Sequence, residues 1–310
     1  MGKIEFFTEV KVSQSPLKIS HKDRLLLMGS CFTDEIGAKF ERSGFETKRN
    51  PFGTIYNPIS IARLLIRAVR KEYFTITDVV RSGEYYYLFE AHGDIRGTSV
   101  EDVLNLGNSK LEDLHDYLQG TTIIFLTLGT AWSYWYKEGE ILMANCHKIP
   151  SKMISRRLLG VEEIEKWLRK AISCLRESVN KDIRVVFTVS PVRHIGEGLY
   201  DNKLSKATLH LAVDKVLEGN EYFPSYEIVM DELRDYRFYA KDMVHLSETA
   251  VDYIWQKFSQ CYFAEGTMAK AEKYIKLDKM RSHRPFNPDS EGYKQHLEKI
   301  KELERELEKE

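Results

Sequence analysis

The sequence predicts a single α/β domain on a mostly parallel sheet, covered by helices on both faces and followed by a helical tail. Three observations carry this expectation. A short apolar run stands at 25–28 (LLLM) and short β-rich runs at 121–128 (TTIIFLTL) and 182–189 (DIRVVFTV), the pattern of strands buried in a parallel sheet. A helical pattern at about 160–178 separates the last two and completes a βαβ unit of ordinary spacing. No linker interrupts the 310 residues, so the expected division is one domain at 1–265 and a helical extension at 266–310.

In chain order, the run at 24–28 passes through Gly29-Ser30 into a helical pattern carried by Ile36, Ala38 and Phe40, which reads as strand, tight turn and helix. Residues 58–70 (PISIARLLIRAVR) form a second helix with Pro58 in its first turn. Residues 84–89 alternate enough for an edge strand or hairpin arm, and 101–119 suggest one or two short helices. A helix at about 202–217, a strand at 226–230 and a helix at 247–263 complete the domain. The tail from Gly292 sets Leu297, Ile300, Leu303 and Leu307 on one face among charges of both signs. Such a helix lies on the domain or makes a weak dimer contact, which leaves a homodimer open.

Composition narrows the function classes. Lys plus Arg total 46 against 47 for Asp plus Glu, a net charge of -1, so no global field draws in nucleic acid or an anionic membrane and neither is an expected partner. The start lacks a basic stretch followed by an apolar one, and no apolar run approaches the roughly 18 residues that span a bilayer. The expected location is therefore cytoplasmic. Gly2 follows Met1, but Phe6 stands where the myristoylation pattern wants Ser or Thr. Tyr85 to Tyr87, Trp132 and Trp135 lack basic interleaving and read as core or pocket wall.

Four cysteines, at 31, 146, 174 and 261, show no CxxC spacing, which argues against a disulfide framework and a structural zinc. Cys174 and Cys261 fall on apolar helical patterns and read as small buried hydrophobes. Cys31 follows a predicted strand, as do Gly129-Thr130 and the Ser190 to His194 cluster. Ligand sites of parallel sheets lie at the carboxyl ends of the strands, so the three clusters should converge on one crevice. A nucleophile at a strand-to-helix turn gains from the helix amides and dipole, which lower a thiol pKa and offer donors to an oxyanion. The competing reading makes Ser30 or Thr33 a helix cap and Cys31 inert.

Asp242 and His245 lie three residues apart, close enough for a loop to aim the carboxylate at one ring nitrogen and leave the other as a base. Ser247 reads as the cap of the next helix. Asn145-Cys146-His147-Lys148 and the segment with Arg193 and His194 can place donors in the crevice, and Gly53 in a turn lets a backbone N–H approach a ligand. No HxH or HExxH spacing joins His147, His194 and His245, so neither a metal nor a cofactor is expected.

Gly29-Ser30-Cys31-Phe32-Thr33, the Asn50 to Pro58 segment, Asn145 to Lys148, Thr188 to His194, Tyr222 to Glu227 and Asp231 to Tyr239 leading to Asp242 and His245 together resemble the GSCFA family, over residues from about 5 to about 290. That family is similar to the SGNH (GDSL-type) hydrolases, which implies a three-layer α/β/α sandwich with a flavodoxin-like parallel sheet. In that superfamily a Gly-Asp-Ser turn gives the nucleophile, a glycine and an asparagine line the oxyanion hole, and a late Asp-x-x-His completes the triad. The resemblance puts Cys31 at the nucleophile position, Gly53 in the oxyanion block, and Asp242 with His245 in the last. Gly129-Thr130-Ala131-Trp132 stands where Gly-x-Asn-Asp is usual, with Asn145 as the candidate replacement.

The reading that follows is an SGNH-like esterase or acyltransferase acting on an acyl ester of a small molecule or carbohydrate. Cys31 is the nucleophile, with Ser30 as the variant choice, His245 the base, Asp242 its orienter, Gly53 and Asn145 the oxyanion donors, and His147, Arg193 and His194 the substrate-binding residues. The alternatives are a non-catalytic SGNH scaffold that binds a carbohydrate or nucleotide-like ligand, and redox sensing by Cys31 with Cys146.

Overall fold

The structure is a computed structural model and describes residues 7–196, 198–287 and 289–308; the opening residues that carry the Gly2 reading lie outside them. In chain order its main elements begin with β1 (Arg24–Gly29), α1 (Cys31–Arg42), β2 (Glu46–Arg49), α2 (Pro58–Arg70), β3 (Val79–Ser82), β4 (Tyr85–Leu88), β5 (Arg96–Gly97) and α3 (Val100–Leu118). Next come β6 (Ile123–Leu128), β7 (Trp132–Tyr136), β8 (Ile141–Met143), β9 (Ile154–Leu158), α4 (Val161–Ser178), β10 (Arg184–Val189) and α5 (Leu199–Asp214). The last are β11 (Glu221–Tyr222), α6 (Ser225–Glu227), α7 (Glu248–Tyr262), α8 (Thr267–Ser282) and α9 (Glu291–Glu308).

The central sheet runs β11-β10-β6-β1-β2 with every pairing parallel. Counted along the chain its order is 2-1-3-4-5, the flavodoxin-like arrangement whose ligand crevice opens where connections leave in opposite directions, between the first and third strands. Strand alternation divides the core. Leu26, Met28, Leu126 and Phe187 face a cluster closed by α2, α3, α4 and α5, while Leu25, Leu27, Phe125 and Val186 face one closed by α1 and α7. The fold is thus the expected α/β sandwich. Cys174 and Cys261 are buried, as expected of small core residues.

Two expectations need correction. Residues 226–230 are helical, in α6 and a following π turn at Ile228–Glu232, and the fifth strand is the two-residue β11 before them. The reason is tertiary: the Ser225 hydroxyl donates to the Val189 carbonyl of β10 at 3.0 Å, and Ile228 and Val229 are both buried in the core cluster that includes Val186 of that strand. Residues 101–119 form one helix, started by a Ser99–Asp102 capping box. The 84–89 run is the expected hairpin arm: β4 pairs antiparallel with β3 across Gly83-Glu84 and is the middle strand of a separate β3-β4-β5 sheet. A second small sheet, β8-β7-β9, had no counterpart in the sequence reading. The tail folds back: Leu277 of α8 packs with Ile300 and Leu307 of α9, and Ala271 joins α8 to the α1–α7 core.

Candidate functional site

Register brings the crevice together. Gly29 pairs with Thr127, and Thr127 with Thr188, so β1, β6 and β10 end level and the segments after them meet. One small pocket is lined by Ser30 and Cys31 after β1, Gly129 and Thr130 after β6, and Ser190, Arg193 and His194 after β10. Tyr56, from the loop before α2, closes the side. The turn that delivers Cys31 is tight. Gly29 has φ +147°, and a Cβ there would lie 2.1 Å from the Thr127 carbonyl oxygen, so only glycine fits. The Asn50 side chain accepts the Gly29 amide at 2.9 Å, and the Ser30 amide donates to the Thr127 carbonyl at 3.1 Å.

Cys31 is the first residue of α1 and partly exposed, whereas Ser30 before it is buried. The Ser30 hydroxyl does not cap the helix. Burial pushes the Cys31 thiol above its ordinary range; the Phe32 amide pulls it down, Asp34 adds to the rise, and its own amide and Lys206 pull it down. The helix start therefore opposes the desolvation without outweighing it, contrary to the lowered pKa expected from position alone.

Asp242 and His245 form the predicted pair. Asp242 Oδ1 accepts the Val244 and His245 amides at 2.9 and 3.0 Å, and Oδ2 meets His245 Nδ1 at 2.6 Å. The carboxylate thus fixes the ring through Nδ1 and leaves Nε2 to face a proton donor or acceptor. Both side chains are about half exposed, 50% for Asp242 and 54% for His245. They do not line the Cys31 pocket. Arg193 joins the two: it lines the pocket, its Nη2 donates to the Met243 carbonyl between Asp242 and His245, and its guanidinium lies 4.7 Å over the Tyr239 ring. Hydrogen bonds from His245 and the nearby amides hold the Asp242 carboxyl down to about 2. A depressed carboxyl pKa keeps this pairing in place above the unfolded value of about 3.9, to be lost as pH falls through the folded one. Expected in a carboxyl NMR titration is an Asp242 midpoint near 2 that moves up in His245→Ala.

Other predicted site residues lie further out. The Gly53 amide donates to the Asn50 carbonyl at 2.8 Å, and Asn145 Nδ2, from the segment after β8, donates to the Thr54 carbonyl at 3.3 Å, so both donors are engaged by carbonyls of the loop before α2. His147 is buried, stacked on Tyr87 with ring centroids 5.0 Å apart; burial pulls its pKa down to about 4. It packs beside the small sheets as a neutral ring and does not line the pocket. The His194 side chain stands at the mouth, its amide held by the Asn202 side chain at 2.9 Å. Among the described residues no group of three His, Cys, Asp or Glu is placed to hold a metal ion, and no helix is long and apolar enough to cross a membrane.

The residue that sequence reasoning missed is Lys206. It is 2% exposed, and its Nζ donates to the Gly129 and Ser190 carbonyls, both at 2.7 Å. It therefore ties the ends of β6 and β10 beneath the pocket. A signal existed: Asn202, Ser205 and Lys206 share the buried stripe of α5 with Leu209, Ala212 and Val213, so polar residues occupy core positions in its first half. Ser205 accepts the Ala131 amide at 2.7 Å, so this stripe also pins the turn after β6.

No curated protein matches the chain. The GSCFA family model matches residues 24–258, which hold Cys31, Lys206, Asp242 and His245, and that of the GSCFA domain protein C-terminal domain matches 275–310, covering α9 and the end of α8. The chain belongs to the GSCFA family.

Proposed function

We propose that this protein is an SGNH-like hydrolase or acyltransferase that moves an acyl group, from an ester of a small molecule or carbohydrate, through a thioester on Cys31. The observations that support this best are a partly exposed thiol at a helix start and an Asp242-oriented imidazole whose loop is tied to the thiol's pocket by Arg193. The thiolate attacks the ester carbonyl, the alcohol leaves, and water or an acceptor hydroxyl releases the acyl group. The His245 imidazole, fixed in tautomer by Asp242, carries protons to and from the oxygens. The Cys31 and Phe32 amides at the start of α1 offer donors to a developing oxyanion; Gly53 and Asn145 join only if they exchange their present partners. Arg193 and His194 border the mouth, where a polar substrate would enter. In this reading the protein works as a cytoplasmic enzyme without a cofactor, and a homodimer is compatible with it.

The test is acylation itself. With short-chain aryl esters and acetylated sugars, mass spectrometry is expected to find one acyl adduct, on Cys31. His245→Ala and Asp242→Asn are expected to slow turnover by about 10³–10⁴-fold. A second reading, a binding scaffold for a carbohydrate or nucleotide-like ligand, draws on the raised Cys31 pKa and the engaged Gly53 and Asn145 donors. It is the reading to adopt if no adduct forms and Cys31 alkylates slowly at every neutral pH.

A further inference from the structure

A buried lysine needs a reason, because an ammonium without water is costly and the amine becomes the favoured form. Lys206 makes two hydrogen bonds, to the carbonyls of Gly129 and Ser190. A neutral amine has two N–H donors and one lone pair, so those two carbonyls satisfy both donors, and the lone pair, open to a proton, occupies the remaining tetrahedral position. Both accepting residues line the pocket that holds Cys31. We propose that Lys206 is the proton acceptor for Cys31, the amine taking the thiol proton while the Asp242–His245 pair serves the substrate oxygens. This rests on the acyl-transfer reading and completes its proton balance. The Sγ–H proton passes to Nζ as Sγ bonds the acyl carbon; the leaving alkoxide takes a proton from the His245 imidazolium as its C–O bond breaks. The neutral imidazole then accepts the proton of the incoming water or hydroxyl, and the released thiolate recovers its proton from the Lys206 ammonium. Burial, acting against the pull of Cys31, brings Lys206 down to about 7, where an amine is an effective base.

The groups around this pair are few. Cys31 and Asp34 come from α1, Tyr56 from the loop before α2, Arg193 and His194 from the loop after β10, and Tyr226 from α6, its ring 6.0 Å from Nζ. On α5 itself, His210 binds the Lys206 carbonyl and pairs with Glu227. The experiment is the rate of Cys31 alkylation by iodoacetamide from about pH 5 to about pH 10, read at that residue by mass spectrometry. Expected is an inflection near 7 that persists in the His194→Ala/His245→Ala double variant. In Lys206→Met it disappears, leaving a rise only as the thiol itself ionises and a rate at about pH 8 lower by roughly 10²-fold. Lys206→Arg, which keeps donors for the carbonyls but does not release its proton, is expected to lose it too. An inflection lost in the histidine double variant, or kept in either lysine variant, overturns the proposal, and the double variant decides alone if neither lysine variant folds. The two readings fail separately. An acyl adduct on Cys31 with an unchanged profile in the lysine variants removes Lys206 and keeps acyl transfer; a Lys206-dependent profile without any adduct does the reverse.

Discussion

Cys31→Ala is expected to abolish ester turnover, by at least about 10³-fold, while moving stability by no more than about 1 kcal/mol. The argument is geometric. Cys31 is the partly exposed sulfur at the head of the crevice, and its side chain lines the pocket between the ends of β1, β6 and β10. Removing the sulfur leaves the helix start, its amides and Lys206 in place, so binding and folding persist and only the bond-forming atom is lost. Steady-state hydrolysis of an aryl ester, with urea unfolding as the control, checks both halves. Ser30→Ala run beside it divides the two nucleophile assignments. Retained activity in Cys31→Ala with loss in Ser30→Ala would move the chemistry to Ser30, against the burial of that hydroxyl.

Gly29→Ala is expected to be the most damaging alanine substitution among the described glycines, costing more than about 4 kcal/mol or preventing folding. Two penalties coincide there. The backbone sits at φ +147°, and the new Cβ would fall 2.1 Å from a main-chain oxygen of the neighbouring strand, Thr127 O, which cannot swing aside as a flexible side chain would. Gly83 is the control: φ is +62° but nothing lies within 4 Å of its would-be Cβ, so alanine there should cost only about 1–2 kcal/mol. A urea midpoint for Gly29→Ala within about 1 kcal/mol of wild type would show that β1 and β6 can part at their ends, and would weaken the account of how Cys31 is held.

These two positions also mark what was legible beforehand. A glycine closing an apolar run and a cysteine opening a helical pattern are local features, and both land where the pattern put them. Asp242 and His245 were legible for the same reason, since three residues of one loop suffice to join them. The run at 226–230 misled because apolar residues in a short segment fit either period, and a hydrogen bond from Ser225 to a distant strand decided for helix. Lys206 was overlooked because its partners are main-chain carbonyls from two other strands, which leave no mark in the lysine's own neighbourhood.

By itself the sequence determined the parallel sheet, the helices that cover it and the strand ends where chemistry collects, because periodicity records which face of an element is hidden from water. Only the tertiary structure decided what each hidden face meets. It buried Cys31 enough to raise its pKa, turned His147 into a stacked core ring, engaged the Gly53 amide with Asn50 and the Asn145 side chain with Thr54, and set Lys206 beneath the crevice. Desolvation and hydrogen-bond satisfaction depend on atoms brought together from distant parts of the chain, and no local pattern encodes them.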